Sequence, residues 1–114
     1  MKIYKTNLKG VLKIKLNPFI DFRGKYLEIF NKELFKKTKK KINFIQDDIS
    51  ISKKNVLRGI HGDNRTSKLI TCLYGKFLLV VVNNDKKSKQ FRKYQKFILS
   101  DKNNIQILVP NKFG

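Results

Sequence analysis

The chain has 114 residues, 40% of them hydrophobic and nine of them phenylalanine, which is material for one small domain with its own core. A single cysteine, Cys72, excludes an internal disulfide, and no run of about 18 apolar residues exists to form a membrane-spanning helix. The formal net charge of +19 comes mostly from lysines spread along the whole chain, a pattern without the placed arginines and stacked aromatics of a nucleic-acid surface.

In chain order, the N-terminal MKIYKTNLKG lacks the apolar centre of a secretory signal, so a cytoplasmic protein is expected. Val11–Leu16 (VLKIKL) alternates apolar and basic residues, the period of a half-buried strand, and Asn17–Pro18 ends it. Asp21–Gly24 (DFRG) predicts a turn and Lys25–Phe30 (KYLEIF) a short strand. Asn31–Lys40 predicts the one helix, with Asn31 as N-cap and Glu33 in the first turn, where a negative charge complements the dipole. Lys36–Lys41 (KKTKKK) is the one dense basic run. Ile42–Ser52 (INFIQDDISIS) alternates like a strand, and Val56–Ile60, an apolar strand, leads into His61. Lys68–Asn83 carries two apolar arms around Tyr74–Gly75–Lys76, which predicts a hairpin. A polar loop, Asn83–Lys89, follows. Tyr94–Leu99 and Ile105–Val109 are two more strands around the turn Ser100–Asn104.

Short strands separated by turn signals predict an all-β antiparallel barrel or sandwich. Residues 1–114 show no repeat or linker and are expected to form a single domain. The end, IQILVPNKFG, finishes a strand and opens a Pro–Asn turn, so a further C-terminal portion of the domain is expected.

His61 is the only histidine, in a polar, glycine-flanked setting. It is a structural histidine or a general base, since His alone titrates near working pH unperturbed. With Asp63 it makes half a metal site at best, and no ligand spacing occurs elsewhere, so no metal is expected. No Walker, Rossmann or Gly-x-Ser-x-Gly pattern is present. Cys72, inside an apolar run, is expected to be a small buried hydrophobe rather than a reactive thiol. Arg23, Arg58, Arg65 and Arg92 are the only arginines, each either a forked contact to phosphate or carboxylate or a salt bridge to a nearby acid. The basic surface is read first as a solvated face and second as one that steers a phosphate-bearing ligand.

Seven segments in order carry a resemblance: DFRGKYLEIF, FIQDDISIS, NVLRGIH, KLITCLYG, VVVNND, FILS and IQILVPNKFG. Their order and spacing resemble the dTDP-4-dehydrorhamnose 3,5-epimerase family from about Val11 to the last residue. The resemblance implies a cupin jelly roll, a double-stranded antiparallel β-helix, here incomplete at its C-terminal side and with one short helix near residues 31–40. It implies cofactor-free removal and return of protons at C3 and C5 of a nucleoside-diphosphate 4-keto-6-deoxysugar, hexose or heptose, in surface polysaccharide biosynthesis. By position, His61 matches the base and Lys68 the cation beside the sugar's C4 oxygen. Arg58 and Gln46 match substrate contacts. Arg23 and Glu28 match residues that reach the nucleotide of a partner subunit, which implies a homodimer. Tyr26 matches an aromatic that packs on the base, and Asp63 is a further candidate.

Two departures qualify the match. Gly62–Asp63 follows His61 where many members carry an aromatic and Gln, a form similar to a branch acting on 4-keto heptoses. The family also continues past the Pro-x-x-Phe-Gly turn with a second histidine, a tyrosine acid and an aspartate that orients the base. None of these lies within the 114 residues, so the chain is expected to be inactive or nearly so by itself. The alternative is a non-catalytic sugar-nucleotide-binding cupin. No nucleic acid or membrane partner is expected.

Overall fold

The computed structural model describes residues 1–114 and holds eight strands and one short helix. Strands β1 (Lys2–Lys5), β2 (Leu12–Lys15), β8 (Ile105–Val109) and β5 (Lys68–Thr71) form one antiparallel sheet in the order β1-β2-β8-β5. β3 (Phe19–Asp21) and β4 (Gly24–Tyr26) form a hairpin by themselves, and β6 (Lys76–Val82) pairs with β7 (Tyr94–Ser100) along their full length. Of the expected strands, those at 11–16, 94–99 and 105–109 are present nearly as read. β1 is an addition: KIYK is short, and only its pairing with β2, Ile3 opposite Ile14, makes it a strand.

The central strand β8 is buried on both faces, with Ile107 and Leu108 fully enclosed, which is why it reads as an unbroken apolar run. On one face Ile107 and Val109 meet Val81, Phe97 and Leu99 of β6 and β7, together with Leu8, Val11, Cys72 and Phe113. On the other, Leu108 meets Ile14, Leu16 and Phe35. Burying each such side chain is worth about 1.5–3 kcal/mol, and these two clusters hold the sheets together.

The helix is short, as expected. α1 (Lys32–Phe35) runs into a 3-10 turn at Lys36–Thr38, and Asn31 Oδ1 accepts from the Glu33 and Leu34 amides at 2.9 and 3.2 Å. Phe35 packs with Phe30 and Phe44 in a three-ring cluster, with centroids 5.2 to 5.8 Å apart. Phe44 thereby ties the following chain to the back of the four-stranded sheet.

Four expectations are corrected. The two arms of Lys68–Asn83 do not form a hairpin: β5 pairs with β8, and β6 pairs with β7 in the other sheet. Gly75, at φ +78°, turns a corner between sheets, and its amide and carbonyl bond Asp101 in the β7–β8 turn, which crosses back at the same end. A glycine corner between two apolar arms has the same composition whether it folds back or crosses over, so the pairing is settled only by β8. The strand expected at 42–52 is absent. Ile42 and Phe44 do alternate inward, but Ile45, Ile49 and Ile51 are exposed and no strand lies beside them. Val56–Ile60 is likewise irregular and exposed, because alternation or apolarity proposes a face and does not supply a ladder partner. The strand expected at 25–30 stops at Tyr26, where its partner β3 ends.

Candidate active site

His61 sits in the irregular stretch before β5, with its imidazole exposed and in no hydrogen bond. Lys68, the first residue of β5, is half-buried, and its Nζ donates to the His61 carbonyl at 3.3 Å. The pairing arises because the turn between them is short and closed. Asp63 accepts from the Arg65 amide at 2.7 Å, the Thr66 amide at 2.5 Å and the Thr66 hydroxyl at 2.7 Å. These donors, Thr66 first and then Arg65, hold the Asp63 carboxyl down at about 2, with Lys68 adding a smaller attraction. Asp63, a further candidate for substrate contact, is therefore committed to its own turn.

The turn is also held from the C-terminal side. Asn111 Nδ2 donates to the Asn64 carbonyl at 2.8 Å, the Asn111 amide to Ser67 Oγ at 3.1 Å, and the Lys112 amide to the Asp63 carbonyl at 2.8 Å. Gly62 has a steric reason: a Cβ there would stand 2.3 Å from the Phe113 carbonyl oxygen. Asn111 and Lys112 were not among the expected site residues. The only signal for them was their place in the Pro-Asn turn, which reads the same for a turn that touches nothing.

The remaining candidates lie in separate groups. Arg58 is exposed, with Nε bonded to Ser52 Oγ at 2.8 Å. Gln46 donates to both oxygens of Asp48, two residues on, at 3.1 and 2.9 Å. Arg23 forms an ion pair with Asp21 at 2.6 Å, which holds the Asp21 carboxyl below its ordinary value. Arg23, Tyr26, Phe19 and Lys25 line an open concavity of about 400 Å³ at the β3–β4 hairpin. Glu28 is exposed. No hydrogen bond or ion pair joins any of these groups to His61 or Lys68. Burial pushes the Cys72 thiol up, and its Sγ faces the Tyr74 and Gly75 carbonyls at 3.4 Å, as suits a core residue. No three His, Cys, Asp or Glu side chains gather anywhere in the chain, and no helix is long and apolar enough to cross a membrane.

Residues 5–114 match the family model described as dTDP-4-dehydrorhamnose 3,5-epimerase. The enzyme of that name from Salmonella typhimurium is 37% identical over 118 aligned residues, covering all of this chain and 64% of the relative. Its namesake from Methanothermobacter thermautotrophicus is 31% identical, covering 99% of this chain and 62% of the relative. This chain thus spans a little under two thirds of the length of these relatives. Among solved structures, the Bacillus anthracis epimerase with TDP and PPi bound superposes with a TM-score of 0.89 at 30% identity, covering 98% of this chain and 66% of that one. The Legionella pneumophila dTDP-6-deoxy-D-glucose-3,5-epimerase in complex with dTDP-4-keto-L-rhamnose gives 0.93 at 30% identity, covering 98% and 61%. The all-β cupin-like architecture with one short helix is the fold shared with these structures.

Proposed function

Because the chain belongs to the dTDP-4-dehydrorhamnose 3,5-epimerase family, we propose that it supplies the base and cation of a nucleotide-sugar 3,5-epimerase. The substrate class is a nucleoside-diphosphate 4-keto-6-deoxysugar. One observation carries the reading: Lys68 Nζ donates to the backbone carbonyl of His61 at 3.3 Å, so the ammonium and the residue that bears the imidazole meet at one end of β5. A proton alpha to a ketone leaves when a base takes it and positive charge meets the developing enolate oxygen. His61 would take the proton from C3 or C5, and Lys68 would stabilise the charge gathering on the C4 oxygen. One such donor is worth about 3–4 kcal/mol of barrier. Inversion then needs an acid on the opposite face, a role this reading gives to none of the 114 residues.

Arg58 and Gln46 would contact sugar or diphosphate. Arg23 and Glu28 would reach the nucleotide of a second subunit, with Tyr26 against its base, in a homodimer. Support for the second subunit is the β3–β4 hairpin, which belongs to neither larger sheet and leaves Phe22 98% exposed. The net charge of +19 favours capture of a dianionic diphosphate. A cytoplasmic location is part of this reading, since nucleotide sugars of this class would be met there.

The test is incubation with dTDP-4-keto-6-deoxyglucose in deuterated water, alongside calorimetry with dTDP. Binding with little deuterium at C3 and C5 is expected, and whatever exchange occurs falls to the solvent rate in His61→Ala. Exchange undiminished by that change would overturn the role of His61. Rapid stereoinversion would overturn the missing acid, and absence of both binding and exchange would overturn the whole reading. A second reading, a sugar-nucleotide-binding cupin without chemistry, is favoured by the His61 imidazole lacking a hydrogen-bond partner to orient it. It predicts tight dTDP binding and no exchange at all.

A further inference from the structure

The segment Pro110–Gly114 has no role in the chemistry above, yet it faces the His61 loop along its length. One side of it is anchored to the end of β6. The Asn84 amide donates to the Lys112 carbonyl at 2.9 Å, and Gly114 exchanges both backbone hydrogen bonds with Val82, at 2.7 and 2.9 Å. Phe113 is buried among the core side chains. The other side carries the three hydrogen bonds to Asp63, Asn64 and Ser67 described above.

Two glycines close the contact. Gly62 lies so near that a Cβ would stand 2.3 Å from the Phe113 oxygen and 2.8 Å from Gly114 Cα. A Cβ on Gly114 would stand 2.7 Å from Ile60 Cγ2 and 2.8 Å from Asn84 Nδ2. His61 is the residue between Ile60 and Gly62, so both of its neighbours press on one anchored strip of backbone. The imidazole is exposed and makes no hydrogen bond of its own, so the backbone contacts on either side are the ones that hold this residue.

Asn111 is the side chain that joins the strip to the loop. Its Nδ2 reaches the carbonyl of Asn64, 47 residues away, rather than closing the local Pro-Asn turn. We propose that Asn111 is a positioning residue for His61, acting through a brace formed by residues 111–114. This rests on the reading of His61 as the base.

His61 is the only histidine, so its ring signals in a ¹H–¹³C spectrum of the full 114-residue chain report the position directly. Asn111→Leu keeps the approximate shape and loses the donor without adding a charge; Asn111→Ala removes the amide. In both, the His61 ring signals are expected to shift. Hydrogen exchange of the Lys112 amide is expected to rise about five- to tenfold, as for loss of one hydrogen bond. The Leu99 and Ile107 methyl signals stay in place. Should the alanine variant lose its methyl dispersion, the leucine variant decides. Ring signals unchanged in the folded variant would overturn the proposal. These measurements use no substrate, so failure of the chemistry would overturn the functional reading and leave the brace standing, and the reverse holds equally.

Discussion

Leu108 and Leu57 are the same side chain under opposite regimes. Leu108 is fully enclosed in β8, with apolar neighbours from β2, α1 and β5; Leu57 is 93% exposed in the irregular stretch that leads to His61. The first region is held by burial, which is non-directional and adds up over many atoms. The second is held by a handful of hydrogen bonds around Asp63 and Asn111, which set direction but contribute little stability each. The base of the proposed chemistry thus stands on the weakly held region and the cation, at the start of β5, on its border with the strongly held one.

If the two regions differ as described, substitutions should separate them by size of effect. Leu108→Ala is expected to cost about 2–5 kcal/mol in urea unfolding, the cost of a cavity in a filled core. A loss below about 1 kcal/mol would show that the two faces of β8 are not packed as described. Phe44→Ala tests the border, because its ring ties the irregular stretch to Phe30 and Phe35. Its ring pairs are worth about 0.5–1.5 kcal/mol each beyond area, so an intermediate loss is expected. Asn31→Ala should remove about 1 kcal/mol, and Asn31→Asp almost none, since the carboxylate caps as well.

The smallest effects belong to the weakly held side. Leu57→Ser should change stability by less than about 0.5 kcal/mol, and a larger loss would mean that the stretch is covered in solution. Asp63 gives a pH signature. Its carboxyl sits at about 2 against an ordinary 3.8, so the folded turn favours the charged form. Its contribution is fully present above about pH 4 and is lost as pH falls through about 2. The amide shifts of Arg65 and Thr66 should follow that titration, and Asp63→Asn should abolish it.

Much of the strongly held region was legible in residues. VLKIKL, YQKFIL and IQILV alternate or run apolar as their burial demands, and Asn31 caps the helix because its side chain competes for the first amides. Of the candidate site, His61 stood out as the only histidine and Lys68 only through the family resemblance; the closed turn between them brings Lys68 Nζ to the His61 carbonyl. The grouping of the others was not. Arg23 is spent on Asp21 and Gln46 on Asp48, and neither use differs in sequence from a contact waiting for a ligand.

By itself, the sequence determined which segments could be strands, where the helix starts and which family the ordered motifs belong to, because these depend on neighbours a few residues apart. Tertiary structure alone decided that β5 and β6 part into different sheets, that INFIQDDISIS has no strand beside it, and that Asn111 reaches Asn64. Each of these depends on what lies across a ladder or a backbone contact from far along the chain. Local pattern sets which face of a segment is apolar; only the assembled core sets what that face meets.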